Sequence, residues 1–360
     1  MTRDRPRLTI GIVGLGTHGV NHAQILRSLG HDVVGVDADP SVRSEFETQF
    51  ETTTYERPTE LFETDIDAVI ISTPNKFHET VATKAFDADL DVLLEKPLAH
   101  TVESAERIVE AAERTDRICM VGFHHRFRNP CMVLKDYIDE GYLGEISHIQ
   151  AKFIRRRGVP GRGTWYTSNE IAGGGALMDV GGHLLDLLLH FYDWPSLSNV
   201  IARSRSEFGP REDYAYLHMW GEDGEARMYD VEDSVNAFLE FENGATADIE
   251  VAWAANAEST HTYNVRGTKA GAALDITNTL TEVEPWVDQR NDLELYEVRS
   301  GGADHFVNSS VVCSHNDPYR DELQTFLDAV VSGDRPEQNN VHQALDVQRV
   351  VADIYRASSE

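Results

Sequence analysis

Three groupings in this chain combine residue types and spacing that can do chemistry. Lys96 lies in Glu95-Lys96-Pro97, directly after the apolar run 91–94. Only six of the 360 residues are lysines. An ammonium at a strand end can polarise a substrate oxygen and stabilise negative charge developing on it. The following proline biases Lys96 toward extended backbone. The second grouping is Gly14-Leu15-Gly16-Thr17-His18-Gly19, a glycine-rich turn whose amides can face phosphates. The third is Asp179, His183, Asp186 and His190, spaced four, three and four apart on a leucine-rich stretch. On a helix these four fall within an arc of roughly 60°. Such a stripe can be a solvent-facing polar edge, a metal site of His and Asp ligands, or a general base whose ring a carboxylate orients. In the last reading His183 is the base, since an imidazole pKa of about 6.5 lies near working pH. No cysteine or further motif supports a metal, and none is expected. Gly181 and Gly182 weaken the helix and fit a close approach to its backbone.

Elements that could position these groups follow from periodicity. Residues 1–122 alternate strand and helix patterns: strands over 8–13, 33–36, 68–72, 92–94 and 118–121, helices over 17–29, 77–86 and 102–114. Alternation of this kind implies a Rossmann-type α/β domain with a doubly wound parallel sheet, with ligands beyond the carboxyl ends of the strands. From residue 123 the pattern changes. Helices over 130–140 and 176–192 flank a strand over 146–154, and hairpin signals at Asp223-Gly224 and Asn243-Gly244 separate β-prone runs. Residues 123–360 therefore read as an α+β domain with a large, mostly antiparallel open sheet. Two closing helices, over 319–331 and 342–357, are free to pack back on the first domain.

The glycine turn follows a strand and opens a helix, and Asp37 ends the second strand. Gly14 permits the tight turn, Gly16 lets a pyrophosphate approach, and Gly19 lets helix and strand pack. Leu15, Thr17 and His18 complete the loop. Asp37 can accept from both ribose hydroxyls and would repel a 2′-phosphate, so the expected cofactor is NAD, with NADP less favoured. Thr73, Pro74, Asn75 and His78 follow another strand end and would line the same crevice, although His78 could instead cap its own helix. Glu95 and Pro97 flank Lys96 there.

Composition narrows the class. Hydrophobic residues make up 41%, and 61 acids against 32 bases give a net charge of −29. That charge repels nucleic acid. No run has the roughly 18 apolar residues of a membrane span, and the charged N-terminus lacks a signal peptide's apolar core, so a cytoplasmic protein is expected. Three cysteines without CxxC spacing make neither a disulfide framework nor a zinc site. Acid-rich, lysine-poor composition resembles that of extreme halophiles, in which salt at 1 M shortens the screening length to about 3 Å.

The early GxGxxG, Thr73-Pro74-Asn75 with His78, Glu95-Lys96-Pro97 and the segment 173–186 together resemble the Gfo/Idh/MocA family of sugar and cyclitol oxidoreductases, over nearly the whole chain. The resemblance places the family's catalytic lysine, aspartate and histidine on Lys96, Asp179 and His183. It implies a cis Lys96-Pro97 bond and a homo-oligomer, dimer or tetramer, formed through the open sheet. The implied reaction is reversible NAD-dependent oxidation of a secondary alcohol on a small polyol, sugar or cyclitol. Alternatives are a redox-neutral enzyme using tightly held NAD for transient oxidation, with elimination or glycoside cleavage, and a non-catalytic NAD-bound sensor. In 123–127, which resembles a family segment near the nicotinamide, Arg126 would contribute there or form a structural ion pair. Arg155, Arg156 and Arg157 could bind an anionic substrate or neutralise local acids, with Arg155 and Arg157 on one face. Trp165 and Tyr166 could stack on a sugar or fill core.

Overall fold

The computed structural model describes residues 6–213, 222–224, 228–277 and 292–359. It divides into two compact units, one of residues 1–124 with 318–348, the other of 125–317 with 349–360.

The first unit holds a six-stranded sheet in the order β3-β2-β1-β4-β5-β6, comprising β1 (Thr9–Val13), β2 (Asp32–Val36), β3 (Thr54–Tyr55), β4 (Ala68–Ile71), β5 (Asp91–Leu94) and β6 (Cys119–Val121). Every recorded strand pair is parallel. The order reverses beside β1, which creates the crevice where ligands of such sheets bind. Central strands of a sheet covered on both faces need apolar side chains on both sides, and all four residues of β4 are buried. Helix α1 (Thr17–Ser28) follows the glycine turn, α4 (His78–Asp87) follows β4, and α5 (Val102–Thr115) follows β5. In α5 the expected apolar face is buried at Ala105, Ile108, Val109 and Ala112. Three elements went unread in the sequence, α2 (Pro40–Phe50), the two-residue β3 and the short α3 (Pro58–Phe62). The C-terminal part joins this unit: the Val121 amide donates to Asn339 at 2.8 Å, and the buried Asn339 side chain donates to buried Glu322 of α9 (Pro318–Ser332) at 3.1 Å.

The second unit holds an eight-stranded sheet, order β14-β13-β12-β11-β7-β10-β9-β8, from β7 (Ile146–Ile154) through β8 (Leu197–Arg205), β9 (Ser234–Phe241), β10 (Thr246–Ala252), β11 (Thr260–Gly267), β12 (Ala270–Asp275) and β13 (Leu293–Arg299) to β14 (His305–Val311). Among the described residues its pairings are antiparallel except that of β7 with β10. The Asn243-Gly244 signal joins β9 to β10, with Gly244 at φ +84°. The turn expected at Asp223-Gly224 has its flanks, 214–221 and 225–227, outside the described residues. Alternation sets the two faces. Val235, Leu239, Ala247, Ile249 and Val251 are buried, whereas Asn236, Asp248 and Phe238 on the opposite face are not.

The helix expected over 176–192 is interrupted. Gly173, at φ +82°, ends a short helix α7 (Asn169–Ala172), and Leu177–Gly181 forms one turn of π-helix before α8 (Gly182–Phe191). No described helix is long and apolar enough to cross a membrane.

Candidate functional site

In the first unit the glycine turn is built as its spacing requires. Gly14 adopts φ +93° and its amide donates to Val36 at 2.8 Å, tying the turn to β2. A Cβ on Gly19 would lie 2.0 Å from the Gly14 carbonyl, so only glycine lets the helix close on the strand. A Cβ on Gly16 would meet nothing within 4 Å, which leaves room above the start of α1. That start has no side-chain cap, leaving its dipole and amides for an anion. Asp37 accepts from the Leu15 amide and the Asp39 amide, both at 2.9 Å, so its carboxylate is fixed beside the loop. This cradle fits a dinucleotide.

The loop after β4 and the Lys-Pro loop are clamped together by His78. Its ring is fully buried, with Nε2 at 2.8 Å from the Thr73 carbonyl and Nδ1 at 2.9 Å from that of Pro97. Burial pushes its pKa down, and the two carbonyls, each an acceptor that only an N–H can serve, pull it back up. The His78 side chain thus does not cap α4; it ties the two loops together. Its signal was its place in the motif, but its partners are backbone oxygens that no motif displays. The Lys96-Pro97 bond is cis.

Glu95 has partners on the first helix. Its buried carboxylate faces α1, where His22 lies 2.8 Å from it and His18 3.9 Å. Burial alone would raise its pKa, but the His22 hydrogen bond and the charges of His18, His22 and Lys96 hold it well below the usual carboxylate range. The Lys96 amide donates to the same carboxylate at 3.2 Å. His22 was missed in the sequence, although it follows His18 by four residues on one helix face.

In the second unit the polar stripe separates into different tasks. Asp179 sits in the π-helical turn and accepts from the Trp253 indole at 2.9 Å. His183, 7% exposed on the first turn of α8, stacks on buried His125 with ring centroids 4.3 Å apart. Asp186, one turn on, pairs through both oxygens with Arg126, and both side chains are fully buried. Burial pushes the Asp186 carboxyl up, while the charge and hydrogen bonds of Arg126 pull it back down. Trp194 covers the guanidinium at 4.7 Å. Arg126 thus forms the structural ion pair that was one of the two roles expected for it. Burial, with the charges of Arg126 and Lys135, pushes His190 down to about 3, which leaves it neutral. A solvent-facing stripe is excluded, because His183, Asp186 and His190 are all buried.

Gly181 and Gly182 differ in what surrounds them. A Cβ on Gly182 would meet nothing within 4 Å, and one on Gly181 would lie 2.9 Å from the Leu177 side chain and 3.5 Å from the Ala176 carbonyl. Arg157 is committed to the carbonyls of Arg156 and Ala255 and to Asn256, with Phe208 under its guanidinium. Trp165 and Tyr166, half-buried, stack on each other at 3.7 Å.

The fold and the first site define a dinucleotide-binding Rossmann unit joined in one chain to an α+β unit with an open sheet. Residues 8–123 match the oxidoreductase family with an NAD-binding Rossmann fold, and residues 132–273 match the GFO/IDH/MocA C-terminal domain. The D-glucoside 3-dehydrogenase of Escherichia coli is 35% identical over 210 residues, a match spanning 58% of each chain. A protein of Amycolatopsis mediterranei, named as the oxidoreductase subunit of UDP-kanosamine synthase, is 34% identical over 248 residues, 68% of each chain. Among solved structures, levoglucosan dehydrogenase in complex with NADH superposes with a TM-score of 0.81 at 20% identity, covering 98% of this chain and 97% of the other. The chain belongs to the GFO/IDH/MocA oxidoreductase family.

Proposed function

We propose that the protein is an NAD-dependent dehydrogenase of a secondary hydroxyl on a pyranose sugar or a related cyclitol. The observation that carries this reading is a pairing within one chain. A glycine cradle with a fixed acceptor at Asp37 is accompanied by a held carboxylate at Asp179 and a buried imidazole at His183. The relatives support the substrate class, since their names include dehydrogenases of D-glucosides, levoglucosan and scyllo-inositol.

Gly14, Gly16, Gly19 and Asp37 would hold the dinucleotide, with Thr73, Pro74 and Asn75 along the crevice. Bound NAD supplies the hydride acceptor. His183 would take the hydroxyl proton as the carbinol carbon is oxidised, Lys96 would donate a hydrogen bond to the reacting oxygen, and Asp179 would orient a neighbouring hydroxyl. Asp37 favours NAD, because a carboxylate held beside the ribose repels a 2′-phosphate.

The exposed face of the eight-stranded sheet supports a homo-oligomer, with Ile201 68% and Phe306 83% exposed on its strands. The excess of acids supports a salt-adapted cytoplasmic protein, whose thermal midpoint should rise between low and molar salt. The deciding experiment offers methyl D-glucosides, levoglucosan, inositols and sugar acids with NAD in molar salt. One NADH released per product supports the reading; turnover without NADH release, or no turnover on any polyol, overturns it.

A further inference from the structure

We infer that Glu232, held by Tyr355, is the positioning residue for the turn that carries Asp179 and the helix that carries His183. This rests on the roles proposed for those two residues.

The first amides of any helix lack partners within it. Here the stretch entering the π-helical turn has no local side-chain cap. A single residue more than fifty positions downstream supplies what is missing. One Glu232 carboxylate oxygen accepts from the Gly175 amide and the other from the Leu177 amide, both at 2.9 Å, while the Glu232 carbonyl accepts from Ala176 at 3.1 Å. Three consecutive amides thus end on one residue. A fourth donor, the Tyr355 hydroxyl of α10 (Val341–Ser359), reaches the same carboxylate at 2.9 Å. Burial and the neighbouring carboxylate push the Tyr355 phenol well up, so it keeps the proton it donates. Every described contact is a donor, and these hydrogen bonds offset part of the burial that pushes the Glu232 carboxyl up.

The glycines before the turn belong to this device. A Cβ on Gly175 would fall 1.9 Å from the Glu232 carbonyl, and one on Gly174 would fall 2.1 Å from the Tyr355 hydroxyl. Close approach is therefore required at residues 174 and 175, where Glu232 and Tyr355 come in. The next residue completes the arrangement. The Asp233 carbonyl accepts from the Trp253 amide at 2.9 Å, and the Trp253 indole holds the Asp179 carboxylate. Residues 232 and 233 thus fix both the backbone of the turn and, through Trp253, the acid on it. A misplacement of about 1 Å at a reacting group can cost on the order of 10²-fold in rate.

The test uses Glu232→Ala, Glu232→Gln and Tyr355→Phe in the full chain, beside Asp179→Asn and His183→Ala. Three readouts are taken: NADH affinity, kcat and KM on methyl D-glucoside, and the Trp253 indole N–H resonance, assigned through Trp253→Phe. Glu232→Ala should lower kcat by about 10²-fold with NADH affinity unchanged. Glu232→Gln, which keeps an acceptor oxygen, should recover part of that loss, and Tyr355→Phe should cost several-fold while remaining folded. All three should move the indole resonance. Wild-type kcat and an unmoved resonance in both Glu232→Gln and Tyr355→Phe overturn the inference, even if Glu232→Ala fails to fold. If instead Asp179→Asn and His183→Ala turn over normally, the proposed function fails, and the indole resonance alone then decides whether Glu232 sets the turn.

Discussion

The two units hold their chemical groups in different ways. In the first, the cradle is made of backbone: amides of the glycine turn, a helix start without a cap, and Asp37 tied to the Leu15 amide 22 residues earlier. In the second, Asp179 and His183 depend on side chains from distant segments. Trp253 holds Asp179, His125 stacks on His183, and Arg126 neutralises Asp186 one turn away. A backbone cradle tolerates change in any side chain that does not obstruct it. A site made of buried side-chain partners does not, because each partner removed leaves a polar group unmatched in a medium of low dielectric. The first unit should therefore survive most single substitutions with its cofactor affinity intact, and the second should fail through its supports as well as its reacting groups.

The sharpest test of that contrast separates the two readouts. Lys96→Ala and His183→Ala should each lower kcat by roughly 10²- to 10⁴-fold, while NADH affinity measured by fluorescence titration stays within a few-fold. Equal losses in both readouts would erase the distinction between the units. Next in size is the ion pair. Arg126→Met strands the buried Asp186 carboxylate and should cost about 3–5 kcal/mol in denaturant unfolding, whereas Arg126→Met with Asp186→Leu should regain most of it. A single variant as stable as the parent would mean that the pair is not holding α8.

A smaller effect is expected at the cofactor. Asp37→Ser removes the repulsive carboxylate and should shift the NADP-to-NAD ratio of kcat/KM upward by roughly tenfold. An unchanged ratio would place the discrimination elsewhere in the loop. The smallest concerns acid stability. Glu95 has a depressed pKa in the folded state, so its contribution is present above the unfolded value of about 4.3 and is lost as pH falls through the folded one. His22→Leu should lower stability at pH 5, and the gap from the parent should narrow toward pH 3. A gap that widens on acidification would show that His22 does not sustain the Glu95 charge.

Much of this was readable because it is local. The glycine turn, its strand, its helix and Asp37 follow from steric and hydrogen-bonding rules acting over a few residues, and β9 and β10 follow from alternation around Asn243-Gly244. Where the reading failed, a long-range partner intervened. Arg126 and Asp186 lie 60 residues apart, so a helical stripe that looked like one acid–imidazole set is divided by an ion pair that spacing cannot reveal. His78 was read as a crevice residue or a cap because it follows a strand end, and its ring meets two carbonyls brought together only by the loops after β4 and β5.

By itself the sequence determined the alternation that makes a parallel sheet, the phosphate-facing turn and the strand-end position of Lys96. Periodicity, proline and glycine act through the chain's own geometry, whatever packs against it. Tertiary structure alone decided which carboxylates are spent on structure, Asp186 on Arg126 and Glu95 on His22, and where the regular helix gives way to the turn bearing Asp179. Those outcomes depend on which buried donors and acceptors meet across the fold, because a buried polar group must find a partner and the partner can come from anywhere in the chain.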